Sequence, residues 1–494
     1  MLKKLAGQTA VYGISTIGVR FLNYLLFPYL TRILTDVEYG IYTDIYAYIP
    51  FLLVILTLGM ETGFFRFFNK AETPEEKKKV FQTTWGVVTL AATAFLALLL
   101  LFLKPVAGWM KYPDNLSYVW LMGAIVWLDV VTAIPFARLR AENRAGKFVA
   151  IRLASVLVNL FFCCFFYLLL PRIESLSFLW SRAYGPGYAF AANLIQSFAV
   201  LVMLLPVVRG ARPKIDTKML RTMFFYSLPL LIAGIPGVAN EFIDRQFIKY
   251  LLPEGENWSS LGIYGAVTKL AVIMTLFVQM YRYGAEPFFL SNFKKEEFQR
   301  TNAEAMKYFV IASVAIFLGI TYFTDIFGLL MGKSFREGIY ILPIILLTNL
   351  FAGMVLNLSF WYKHSGLTRY AVIITGTGLV VTIGLNILLI PRLGYEGAAW
   401  TRLSSESVMV LVSYLLCRKY FPIPYNLKRI GIYFLAGALL YAVGMLANEH
   451  LPRPASIPLD IVLLGGFCTF VLRVENVKVK AMLNALLKRE QKSG

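Results

Sequence analysis

The residues able to do chemistry in this chain are ionised groups placed where water is scarce. Arg20, Arg66, Arg152, Arg245, Lys269 and Arg402 stand inside long apolar runs, and so do Glu61, Asp129, Glu241, Asp244 and Glu406. An ionised side chain at mid-bilayer costs about 2.5–3.5 kcal/mol even on the lenient insertion scale, so such groups face a hydrated interior or pair with one another. Arg20 is near the middle of the first run, and Asn23, three residues on, shares its helix face. Asn240, Glu241, Asp244 and Arg245 form a stripe at i, i+1, i+4 and i+5. Arg66, Arg152 and Arg282 lie near run ends, where a long side chain can reach the interface. Glu241 with Arg245, and Arg402 with Glu406, have the i, i+4 spacing of pairs that only neutralise each other. Arg20 and Lys269 are deeper and have no local partner in the sequence.

A hydrated cationic cleft suits an anion, because Arg grips phosphate bidentately and Lys holds it as a point charge. The candidate substrate-cavity set is therefore Arg20, Asn23, Arg66, Asn240, Arg245, Lys269 and Arg282. Glu61, Asp129, Glu241 and Asp244 are candidates for binding a coupling ion, H⁺ or Na⁺. Catalytic and metal sets are not expected. There are two His, and Cys163, Cys164, Cys417 and Cys468 have neither zinc-ligand spacing nor a disulfide pattern. Gly328 to Ser334 imitates a phosphate-binding loop, but three residues separate its glycines where the motif needs four. No organic cofactor is called for.

The elements that position these groups are membrane spans. The chain has 494 residues, 58% of them hydrophobic and 15% charged, against roughly 25% charged in soluble proteins. Apolar spans fall near 8–30, 43–68, 80–103, 116–138, 147–170, 184–208, 222–248, 259–281, 303–324, 338–362, 368–390, 397–417, 430–447 and 456–473. Each of about 20 residues crosses a 30 Å hydrocarbon core as a helix. The alternation of a spanning barrel is missing, so the expected fold class is all-α integral membrane with about 14 transmembrane helices. Pro229, Gly234, Pro236 and Gly237 should kink the seventh span.

The net charge of +20 does not imply nucleic acid, since the basic residues sit in short loops between spans. With the N-terminus placed in the cytoplasm, 32 Lys and Arg fall in inner loops and tails and 10 in outer loops. That bias supports an even span number with both termini cytoplasmic. Lys3 and Lys4 precede an apolar stretch without a small-residue cleavage site, which reads as an uncleaved first helix.

The chain also repeats. Gly40-Ile41-Tyr42 recurs as Gly262-Ile263-Tyr264, Phe64-Phe65 as Phe288-Phe289, Gly146 as Gly366, and Pro171-Arg172 as Pro391-Arg392, at offsets of 220 to 224. Spans 1–6 and 7–12 are thus expected to be two pseudo-symmetric six-helix bundles, with two C-terminal helices outside the repeat. The expected division is 1–208, a cytoplasmic linker 209–221, 222–419, the last two spans in 420–474, and a basic tail 475–494. Paired parallel repeats are a transporter architecture with the substrate site between the halves.

Leu5-Ala6-Gly7-Gln8-Thr9-Ala10-Val11-Tyr12-Gly13-Ile14-Ser15, then Leu25 to Leu34 with Pro28, Thr31 and Arg32, then Glu38-Tyr39-Gly40-Ile41-Tyr42, resemble the polysaccharide-biosynthesis flippases. These are lipid-linked oligosaccharide exporters of the MOP superfamily, which also holds MATE drug exporters and peptidoglycan-precursor flippases. The chain most resembles the lipopolysaccharide or capsule branch. The resemblance covers the whole chain and implies a bacterial inner-membrane protein. Its implied activity is to move an undecaprenyl-pyrophosphate-linked oligosaccharide from the cytoplasmic to the periplasmic leaflet by alternating access. It also implies a cationic cavity for the pyrophosphate, with Arg20 and Lys269 suitably sited. Membrane lipids and polysaccharide polymerase or ligase machinery are the implied partners. The dense span-1 arginines of the peptidoglycan-precursor flippases are missing here, which argues against that substrate. Moving two negative charges outward gains roughly 4–5 kcal/mol per 100 mV, so no ATP domain is needed. Two other readings stay open. A MATE-like cation or drug antiporter would want an acidic, aromatic cavity. A glycan polymerase or ligase would want a large outer loop bearing catalytic residues.

Overall fold

The computed structural model describes residues 18, 22, 24–210, 214–289 and 295–475. Helix dominates them, and there is no strand among the described residues. The helices are α1 (Leu26–Ile33), α2 (Asp36–Leu56), α3 (Met60–Lys70), α4 (Pro74–Leu101), α5 (Leu116–Ala141), α6 (Ala145–Cys164), α7 (Gly187–Val208) and α8 (Thr217–Leu251). They continue with α9 (Asn257–Leu270), α10 (Val272–Phe289), α11 (Lys295–Tyr322), α12 (Leu342–His364), α13 (Arg369–Leu393), α14 (Tyr395–Tyr420), α15 (Leu427–His450) and α16 (Arg453–Val474).

Among the described residues, ten helical segments are long and apolar enough to cross a membrane, and twelve if two bent pairs each count as one span. The expected fourteen is therefore not reached. Span 8–30 falls largely outside the described residues. Span 397–417 does form a helix, α14, but it carries a polar run from Thr401 to Ser407. Faces turned away from the protein are apolar, with Leu101 74% exposed and Val462 67%, as lipid contact requires.

Local chemistry sets the boundaries. Thr35 accepts from the Glu38 backbone N–H while the Glu38 carboxylate accepts from the Thr35 N–H, so α2 starts at Asp36 rather than near 43. Thr73 and Glu76 make the same reciprocal cap, with Pro74 at the first helical position of α4. The expected second span, 43–68, is two helices: Leu58 and Gly59 both have positive φ, 54° and 65°, and break the chain between α2 and α3. The predicted kink in α8 is present, a bend of 49° between Thr217–Pro229 and Gly234–Asn240.

The chain forms two compact units. The first comprises Met1–Leu270, Leu330–Ile341 and Leu367–Met409, and so holds all of the first repeat plus α8, α9, α13 and the start of α14. Its tightest junction is α2 against α9, and there the repeated motif meets itself. A Cβ on Gly40 would overlap the Trp258 carbonyl, and a Cβ on Gly262 would overlap the Asp36 carbonyl. Each glycine touches the residue four positions before the other. This is the reciprocal contact of a two-fold axis, built inside one chain. Small residues allow such close backbone approach between membrane helices.

The second unit comprises Ala271–Leu329, Leu342–Gly366 and Val410–Gly494. Here α15 packs on α11 through Gly437 on Val314 and Gly444 on Tyr322. Ionic clusters fasten both ends of α15 and α16. Glu475, almost fully buried, accepts from Lys307 Nζ at 2.6 Å, Arg429 Nη1 at 3.1 Å and the Tyr433 hydroxyl at 2.5 Å. Burial opposes the charge on Glu475, but these donors outweigh it and hold the carboxyl below the usual glutamate range. Arg453 donates to Asp460 at 3.0 Å, Asp325 at 2.5 Å and the Tyr322 carbonyl at 2.8 Å.

Candidate functional site

The first unit holds two buried ionic clusters, and both hang on α8. Asp244 and Arg245 stand in one. Both Asp244 carboxylate oxygens are used: Oδ1 accepts from Arg245 Nη1 at 3.2 Å, and Oδ2 accepts from the Tyr264 hydroxyl of α9. Arg402 of α14 brings its Nη1 to 3.6 Å from Oδ2. One turn earlier, the Asn240 carbonyl oxygen accepts from Thr382 of α13 and from Ser405 of α14, the latter at 3.3 Å. Glu406, also buried, follows Arg402 at i+4. Lys269, at the end of α9, is exposed, and Arg245 is near enough to act on it electrostatically. Among the described side chains, three cations, Arg245, Lys269 and Arg402, thus stand with two carboxylates, Asp244 and Glu406. Lys269 has no ion pair with any described residue.

The second cluster is one to one and sealed. Lys249 Nζ lies 2.5 Å from Asp44 Oδ2, and neither side chain has any exposure. The same oxygen accepts from the Tyr112 hydroxyl at 2.6 Å, and Oδ1 accepts from Gln246 Nε2 at 2.8 Å. The Tyr48 hydroxyl in turn donates to Gln246 Oε1 at 2.6 Å. The Lys249 ammonium is caged by the rings of Tyr48, Tyr112, Tyr250 and Trp258, 4.8 to 5.4 Å from their centroids. Neighbouring contacts close the same end of the first unit. The Tyr250 hydroxyl donates to the Trp109 carbonyl at 2.8 Å, and the Gly332 N–H donates to Thr31 Oγ1 at 3.3 Å.

Of the expected site residues, Asn240, Asp244, Arg245 and Lys269 gather in the first cluster. Others stand apart from it. Glu61 pairs with Arg140. Exposed Arg66 stacks its guanidinium 4.2 Å from the Tyr226 ring centroid. Asp129 accepts from Ser197 Oγ at 2.8 Å. Arg282 belongs to the second unit, where it lies 3.2 Å from Glu286, itself held by Lys363 at 2.5 Å. Arg20 and Asn23, and the side chain of Glu241, lie outside the described residues.

Sequence reasoning missed Asp44 and Lys249. A Lys at a span end reads as a topology marker, and its partner is 205 positions away. It also treated Arg402 as half of a local pair with Glu406, whereas Arg402 reaches Asp244. The available signal was an acid, Asp44, at the start of a span otherwise free of charge until Glu61.

The fold is that of a multi-pass membrane transporter. It is similar to the lipid II flippase MurJ in its inward closed conformation, at 14% identity over 95% of this chain and 100% of that one, with a TM-score of 0.71. It is also similar to a multidrug resistance MATE family transporter of the MOP superfamily. For the inward-facing form of that transporter, identity is 14% over 81% of this chain and 94% of that one, TM-score 0.66. For an outward-facing multidrug resistance MATE family transporter of the MOP superfamily, identity is 14% over 84% of this chain and 94% of that one, TM-score 0.57. No curated protein matches the chain. Residues 5–289 match the family described as polysaccharide biosynthesis protein, and the chain belongs to that family.

Proposed function

We propose that this protein is a flippase for an undecaprenyl-pyrophosphate-linked oligosaccharide, moving it from the cytoplasmic to the periplasmic leaflet of a bacterial inner membrane for lipopolysaccharide or capsule synthesis. The observation that carries the reading is the Arg245–Lys269–Arg402 cluster, set in membrane helices of a chain that belongs to the polysaccharide biosynthesis protein family. Two guanidiniums and an accessible ammonium are the donor set that a pyrophosphate needs. Arg20, which the sequence puts mid-span, belongs to the same proposal. The likeness to a lipid II flippase supports a lipid-linked cargo. Both termini are proposed to be cytoplasmic, and polymerase or ligase machinery is the proposed downstream partner.

Alternating access is the proposed mechanism. The Asp44–Lys249 pair serves as its outer latch, since the charge bias puts Arg32, Lys111, Lys333 and Arg336 outside with it. Coupling to H⁺ or Na⁺ is assigned to Asp129, a carboxylate held by a hydroxyl rather than by a close ion pair. The antiporter reading needs a free carboxylate for a cationic drug. Asp244 argues against it, with both of its oxygens already engaged.

The test is deletion of the gene in a strain with no second copy. The expected result is loss of surface polysaccharide with the lipid-linked repeat building up on the cytoplasmic side. Unchanged polysaccharide without that build-up contradicts the proposal.

A further inference from the structure

Apart from the α8 clusters, the first unit has a basic cavity of about 500 Å³ where four helix ends meet. It is lined by Phe68 from α3, Lys77 and Lys78 from α4, Arg138 from α5, Glu142 just after α5, and Arg209 after α7. The loop charges assign these ends to the cytoplasmic face. We propose that this cavity binds the phosphate of an anionic lipid headgroup.

The cavity has a fixed cation and an apolar floor. Arg138 donates through Nε to Glu142 at 2.7 Å and through Nη1 to the Val207 carbonyl at 2.9 Å, and its guanidinium lies 4.7 Å from the Phe81 ring centroid. The remaining N–H groups of this oriented fork suit an anion. The Lys77 ammonium stands 5.7 Å from the centroid of the buried Phe68 ring. Lys78 and Arg209 are exposed at the rim.

The charge is not met from within. Four cations line the cavity with one carboxylate, Glu142, which Arg138 and Arg144 already share, the latter at 3.4 Å. Two neighbouring acids are committed elsewhere. Glu76 caps α4 by accepting from the Glu72 and Thr73 N–H groups, and Asp216 holds Lys79 at 2.6 Å. Lys77, Lys78 and Arg209 form no ion pair with any described residue. Basic pockets between membrane helices on the cytoplasmic side are where anionic headgroups dock, drawn by the negative surface potential. A volume near 500 Å³ falls in the usual range for a small-ligand site, about 300–1,000 Å³.

The experiment measures lipid binding to the purified full-length protein in detergent by native mass spectrometry and thermal shift. The probes are phosphatidylglycerol, phosphatidylcholine and inorganic phosphate. Phosphatidylglycerol should bind and raise the melting temperature, and phosphatidylcholine should not. In K78A/R209A, affinity for phosphatidylglycerol should fall by about tenfold or more, from the usual contribution of each basic residue near an anionic surface. Both residues are rim-exposed and the variant should melt with wild type in lipid-free detergent. Equal binding of phosphatidylcholine, or unchanged phosphatidylglycerol binding in the variant, overturns the proposal. Inorganic phosphate that alone reproduces the shift at millimolar concentration overturns the lipid source and leaves a soluble-phosphate site.

Discussion

Lys249 and Arg245 stand one turn apart on α8, yet they sit in ionic clusters of different kinds. Lys249 meets a single carboxylate in a cage without exposure, and every group around Asp44 is satisfied. Arg245 shares Asp244 with Tyr264 and Arg402, while Lys269 stays exposed beside them. A balanced, dry pair has nothing left to offer a ligand, so its work is to hold two helices together. The Arg245 cluster differs in that one of its cations, Lys269, is exposed and makes no ion pair with any described residue. One short helix segment thus carries both the proposed latch and the proposed substrate cluster.

The comparison is broken most severely at the sealed pair. Lys249→Met leaves Asp44 buried without its cation, and breaking a buried pair costs about 3–5 kcal/mol. The melting temperature of the purified protein should drop sharply. Adding Asp44→Leu should recover most of the loss, because a buried pair is often replaceable by apolar residues. A double variant no more stable than Lys249→Met would show that the pair itself, and not the orphaned charge, stabilises the junction.

Next comes the glycine contact beside that pair. Gly40→Ala and Gly262→Ala each force a methyl into a backbone carbonyl of the partner helix. Overpacking of this kind costs about 1–3 kcal/mol. Thermal unfolding should report similar losses for both, as the reciprocal geometry requires. Gly465→Ala, where a methyl meets open space, should cost nothing.

The smallest effect belongs to an exposed pair, which marks the lower end of the same scale. The hydrogen bond from Lys79, with the Met219 N–H, holds the Asp216 carboxyl down from its usual 3.8 to about 2. A depressed carboxylate stabilises the folded state above its ordinary value, and that gain is lost as pH falls through the depressed value. The melting-temperature gap between wild type and Asp216→Asn should therefore be full well above pH 3.8 and disappear only as pH falls below about 2. A constant gap would mean that the pair is not what Asp216 contributes.

Much of this was legible in the sequence, for physical reasons. Apolar spans and loop charges are local signals imposed by the bilayer, and every expected span among the described residues meets a helix. The Gly-Ile-Tyr repeat was legible because a close backbone approach tolerates little but glycine. The α8 stripe was legible because ions in an apolar run are costly. The break at Leu58–Gly59 was not, since positive φ at Leu58 has no signature in residue type. Nor was the Asp44–Lys249 pair, whose partners are far apart in sequence and meet only through α2 and α8.

The central claim is that the open cluster, not the sealed one, handles the substrate. It is tested most directly by transport of a lipid-linked oligosaccharide pyrophosphate in proteoliposomes containing wild type, Lys269→Ala or Lys269→Gln. The account predicts a rate lowered at least tenfold in both variants, about 1.4 kcal/mol, with melting temperatures near wild type because exposed Lys269 holds no ion pair. Transport at the wild-type rate in both variants would contradict it.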